Sequence, residues 1–103
     1  MYYIISLTHT MKGEKYLTLW RANNQGYCYS KENAGLYENP KEGYHDSEDN
    51  MPVTTKQAEK LFQKLPYDHV LKDMIPNKKS TWDILNVRMG RKNLKKGIKK
   101  TSK

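Results

Sequence analysis

The sequence predicts an α+β fold: a three-stranded antiparallel sheet packed by two to three helices, the last of them basic. Three observations carry that prediction. Tyr2–Leu7 is apolar or aromatic on both strand parities, as expected of an inner strand covered on both faces. Tyr16–Arg21 alternates, with Tyr16, Thr18 and Trp20 on one side and Leu17 and Leu19 on the other. Farther on, Ala58, Leu61, Phe62 and Leu65 fall at the spacing of one helix face.

Taken in order, Tyr2–Leu7 runs on through Thr8, His9 and Thr10 to a turn at Met11–Glu14, where Gly13 suits a positive φ. Tyr16–Arg21 then pairs back as a hairpin. A turn at Asn23–Gly26 leads to a short third strand, Tyr27–Tyr29. Ser30 is placed to cap a single helical turn that Gly35 ends, and Leu36–Glu38 is extended. Residues Asn39–Pro52 are polar, with Pro40, Gly43 and Pro52, and read as a long surface loop.

A helix is expected over Thr55–Leu65. Thr54 and Gln57 have capping-box spacing, Val53 can staple to Ala58, and Pro66 ends the run. Tyr67–Ile75 fits either a short helix or a strand, and Pro76-Asn77 breaks it. Ser80 and Asp83 form a second capping pair, opening a helix whose stripe is Ile84, Val87, Arg91, Leu94 and Ile98. Trp82, Leu85 and Met89 give its first turns a second apolar face, while Asn86, Gly90, Asn93 and Gly97 form a strip of mostly small residues.

Charge divides the chain sharply. The net charge is +8, and the last sixteen residues hold eight of the nineteen Lys/Arg and no acid. The remaining eleven basic residues are balanced by eleven acidic ones. The expected organisation is therefore a neutral domain, residues 1–87, followed by a basic arm, residues 88–103, that continues the last helix. Deleting the arm is expected to leave a folded domain. Length allows one modest core. No apolar run reaches a membrane span, and no signal peptide is recognisable. With the single cysteine Cys28, a cytoplasmic protein is expected.

Catalytic and metal patterns are weak. Cys28 with His9 or His45 would be a nucleophile pair, but a lone cysteine between two tyrosines reads as a packed residue. His9, His45 and His69 have no ligand spacing. Asp46, Glu48 and Asn50 alternate like calcium ligands, yet Met51 and Gln57 stand where that loop needs Gly and Glu. No glycine-rich phosphate loop is present. A non-enzyme without cofactor or metal is expected.

The arm points to polyanions. Arg88, Arg91, Lys92, Lys95, Lys96, Lys99, Lys100 and Lys103 would neutralise phosphates and release counterions. Tyr27 and Tyr29 share a strand face and are candidates for stacking bases. The acidic run Asp46–Asp49 is a candidate to lie against the arm. A membrane surface fits less well, because the stripe lacks Phe and Trp.

The segments YYIISLTHT, YLTLWR, GYCYS, AGLYE, PV and IPN followed by Trp82 resemble a family of small uncharacterised proteins of tailed phages and prophages. The resemblance covers most of residues 2–54 and a short part near Ile75–Trp82; the lysine-rich tail departs from it. It implies a phage context, the host cytoplasm, and no catalytic residues. The resulting expectation is a binding protein that engages nucleic acid or a host nucleoprotein through its arm, as an inhibitor of host defence such as a CRISPR-type effector. The alternative is a protein-interaction or structural module whose tail only aids solubility.

Overall fold

The computed structural model describes residues 1–97. Tyr2–Ser6 forms β1, Thr18–Trp20 β2, Tyr27–Cys28 β3 and Asn50–Thr54 β4, in the antiparallel order β3-β2-β1-β4. The apolar run at the N-terminus is thus an inner strand. Ile4, Ile5 and Leu7 are fully buried together with Leu17, Leu19 and Val53.

The rest of the architecture corrects the α+β expectation. Among the described residues sheet dominates, with eight strands in three sheets, and the four-stranded sheet replaces the expected three-stranded one. Among the described residues only two α-helices occur, α1 at Thr55–Glu59 and α2 at Lys79–Leu85. The fourth strand comes from the end of the supposed loop. Pro52 lies in β4 opposite Ile4, tolerated because β4 is an edge and needs no donor on its outer side.

Helix α1 begins as expected: the Gln57 N–H donates to Thr54 Oγ1 at 3.0 Å. It stops after five residues, short of Leu65. Gln63–Tyr67 instead forms β5 and pairs with β6, Val70–Met74. Their two-residue loop has φ of 52° at Asp68 and 71° at His69. Both residues sit in the left-handed region that a primed hairpin turn requires.

The basic C-terminal helix is also corrected. Helix α2 starts after Lys78 without a side-chain cap, so Ser80 is interior rather than a cap. It ends at Asn86, whose φ of 58° is left-handed, a conformation asparagine accepts more readily than most residues. Val87–Met89 (β7) then pairs with Leu94–Lys96 (β8). Val87 and Leu94 enter the main core, whereas Ile84, placed on the buried stripe by the helical reading, is 60% exposed. The core therefore extends past Val87, and removing residues 88–103 removes part of it.

Several local contacts tie the turns to the strands and helices. The Ser6 and Thr10 hydroxyls tie β1 to the following turn: Ser6 Oγ meets His9 Nδ1 at 2.9 Å, and Thr10 Oγ1 donates to Ser6 O at 2.8 Å. Asn77 Nδ2 donates to Glu14 O at 2.9 Å, while its Oδ1 accepts from Trp82 Nε1 at 2.8 Å. One side chain thus fastens the Met11–Lys15 turn to α2. A Cβ on Gly35 would come within 2.4 Å of the Ala22 backbone, so only glycine fits there.

Candidate nucleic-acid interface

The β7–β8 ribbon pairs Val87 with Lys96, Arg88 with Lys95, and Met89 with Leu94. Alternation along each short strand sets its chemistry. Val87 and Leu94 are buried, while Arg88 and Lys95 are exposed. The turn between the strands carries Arg91 and Lys92, both exposed.

The ribbon is fixed on several sides. The Leu94 N–H donates to Thr10 O at 3.0 Å, and the Lys12 N–H donates to Lys92 O at 2.7 Å. The Gly97 N–H donates to Asn86 O at 2.8 Å, closing the base of the ribbon. Asn93 Nδ2 donates to Leu94 O at 2.8 Å and reaches Leu7 O at 3.4 Å.

The expected basic residues thus separate into three groups. Arg88, Arg91, Lys92 and Lys95 come together on the ribbon, and none has an ion-pair partner among the described residues. Lys96 is half-buried, and its Nζ meets Asp46 Oδ1 at 2.6 Å. This is the contact between acidic loop and arm that the charge pattern suggested. Lys99, Lys100 and Lys103 lie outside the described residues.

Tyr27 and Tyr29 differ in their surroundings. Tyr27 is 42% exposed, with the His9 ring tilted across it at a centroid distance of 4.1 Å. Tyr29 is half-buried, and its hydroxyl donates to Glu14 Oε1 at 2.9 Å. That hydrogen bond, followed by burial, raises the phenol pKa. Tyr16 and Tyr67 meet the Tyr29 ring edge-on, each at 5.9 Å. The sequence pointed to neither as a site residue: Tyr16 precedes β2, and Tyr67 ends β5 at the start of a segment that fits either helix or strand.

No family model, curated protein or solved structure matches the chain.

A cavity of about 220 Å³ does gather Cys28 with His9, alongside Thr18, Tyr27 and Tyr29. The pair is poorly arranged for nucleophilic chemistry. Burial raises the Cys28 thiol pKa, and its S–H donates to Ser30 O at 3.8 Å. A protonated thiol is a weak nucleophile. His9 Nδ1 is engaged with Ser6 Oγ.

His45 is held elsewhere, against Trp20, Tyr37 and Tyr44. Its Nδ1 accepts from the Lys41 N–H at 2.8 Å, which places the proton on Nε2, donated to Asn24 Oδ1 at 2.8 Å. Burial, then the Lys41 charge, lowers its pKa.

Among the described residues no group of three or more His, Cys, Asp and Glu is placed to hold a metal ion. No helix among them is long and apolar enough to cross a membrane.

Proposed function

We propose that this protein is a non-enzymatic binder of nucleic acid or of a nucleoprotein, acting through the basic β7–β8 ribbon. The observation that carries the reading is the cross-strand pair Arg88–Lys95. Like charges directly opposite on a ladder destabilise it. Here the pair is flanked by Arg91 and Lys92 at the turn, without an acid to offset any of the four among the described residues. Such a surface gains from a line of phosphates, because each contact removes repulsion and releases counterions. Anchoring by Leu94 holds the cations in place before binding.

Within this class, the phage-like segments favour an inhibitor of a host defence nucleoprotein, including CRISPR-type effectors, with the ribbon covering a guide-strand or target-strand surface. The host cytoplasm follows from that role. The direct test replaces Arg88, Arg91, Lys92 and Lys95 together with Gln and measures nucleic-acid binding at low salt. The reading expects binding to be lost while the fold is retained. Replacing the exposed Lys56 on α1 and Lys60 at its C-terminal cap is expected to leave binding largely intact. Equal loss from both sets, or binding unchanged by the ribbon substitutions, would remove the ribbon as the interface.

A further inference from the structure

Beyond the ribbon, three clefts that share tyrosines run from the outer edge of the four-stranded sheet to the β5–β6 hairpin. The first is the cavity of about 220 Å³ between His9, Tyr27 and Tyr29. A second, about 140 Å³, shares Tyr27 and Tyr29 and adds Tyr67, Arg21 and Lys72. A third, about 450 Å³, shares Tyr29 and Tyr67 and adds Tyr16, Glu14 and Asp68.

We propose that this edge binds single-stranded nucleic acid, with bases against the tyrosines and phosphates toward Arg21 and Lys72. The inference rests on the polyanion reading above and narrows it to unpaired strands.

Three features support it. Two of the rings, Tyr16 and Tyr29, are preset, and Tyr67 packs edge-on against both. The Tyr29 hydroxyl is held by Glu14 and the Tyr16 hydroxyl by Pro66 O, so stacking costs little side-chain entropy. Exposed ring surface remains on Tyr27 and Tyr67, each 42% exposed. A stacked duplex presents phosphates and groove edges rather than base faces, whereas an unpaired base can insert between aromatic rings.

Charge gives the site a direction. Arg21 Nε donates to Tyr27 O at 2.9 Å, which fixes the guanidinium beside the second cleft. Lys72 Nζ lies 3.8 Å from Glu32 Oε1, a loose pair whose acid is 70% exposed, so a phosphate can replace it. The third cleft sets two acids, Glu14 and Asp68, against one cation, Lys15, so it favours a phosphate less than the Arg21–Lys72 side does. The chain connects this edge to the ribbon. His9 lies on Tyr27, Thr10 O accepts from the Leu94 N–H, and the Lys12 N–H donates to Lys92 O.

The test compares a short poly-dT oligonucleotide with an abasic oligonucleotide of equal length, both titrated against the intact protein. Their phosphate counts match, and only one has bases. Binding of poly-dT should be tighter by about ten-fold or more, the contribution of a stacked base. Tyr27→Leu and Tyr67→Leu, which keep bulk but remove the flat face, should shrink that difference, and Tyr27→Phe should retain it. Equal affinity for the two oligonucleotides overturns the stacking site while leaving the polyanion reading intact. Binding of neither overturns both. If a leucine variant is unfolded by circular dichroism, the comparison in the unaltered protein still decides.

Discussion

Leu94→Ala separates a ribbon built into the core from a tail merely attached to the domain. Leu94 has no exposed surface and lies in the cluster with Leu7, Leu17, Val87 and Ile5. Truncation removes buried apolar surface and leaves a cavity within that cluster. Leu→Ala changes at such sites cost about 2–5 kcal/mol, and we take about 3 kcal/mol here. For a domain of this size, each kcal/mol lowers the melting temperature by roughly 4–8 °C, so the expected fall is roughly 12–24 °C. The assay is thermal unfolding followed by far-ultraviolet circular dichroism, with Lys95→Ala alongside. Lys95 lies on the exposed side of the same strand, and its replacement should change stability by less than about 0.5 kcal/mol. If Leu94→Ala melted within experimental error of the unaltered protein, the ribbon would not belong to the core.

Two further predictions concern the remaining elements. Thr54→Ala should cost about 1 kcal/mol, measured by urea unfolding, because the Gln57 N–H loses its acceptor; an unchanged midpoint would mean that Thr54 does not cap α1. His45 makes stability depend on pH in a defined direction. Its pKa is lower in the folded protein than the ordinary 6.5, so the unfolded chain takes up the proton more readily. Its contribution is complete above pH 6.5 and declines as pH falls through that value toward the folded pKa. Protonated Nδ1 cannot accept from the Lys41 N–H, and the 41–50 loop should loosen first. His45→Gln should flatten the stability profile between about pH 7 and 5, and a profile identical to that of the unaltered protein would exclude His45 as its source.

What was legible in the sequence was set by the length of each pattern. Ile4 and Ile5 on adjacent parities mark an inner strand without reference to any other segment. The Thr54–Gln57 cap is a local hydrogen bond, readable at four-residue range. The β7–β8 ribbon was hidden because its strands are three residues each, too short for period two to show. Ile84, Val87 and Leu94 meanwhile sit at helical spacing by coincidence of that geometry. Asn86 and Gly90 were the available breaking signals, and the helical reading placed both within its strip of small residues. Pro52 concealed β4, since a proline strand is possible only at an edge, and edge position is a tertiary fact. Asp68-His69 turns a hairpin without the glycine that usually announces one. For the candidate site, the ribbon's charge could be counted directly. The grouping of Tyr16, Tyr29 and Tyr67 could not, because β5 and β6 had first to be recognised as a hairpin.

The central claim is that the ribbon neutralises phosphates, and its most direct test is the salt dependence of nucleic-acid binding. The dissociation constant for a short duplex should be measured across a series of salt concentrations, for the unaltered protein and for the Arg88→Gln/Arg91→Gln/Lys92→Gln/Lys95→Gln variant. Each phosphate contact on duplex DNA contributes about −0.9 to the slope of log affinity against log salt. If all four cations make such contacts, the variant's slope should be shallower by roughly 3 to 4, with its melting temperature preserved or slightly raised, because all four side chains lie outside the core and the change relieves the Arg88–Lys95 repulsion. Parallel slopes for the two proteins would contradict the account, as would an unaltered protein that binds neither DNA nor RNA at low salt.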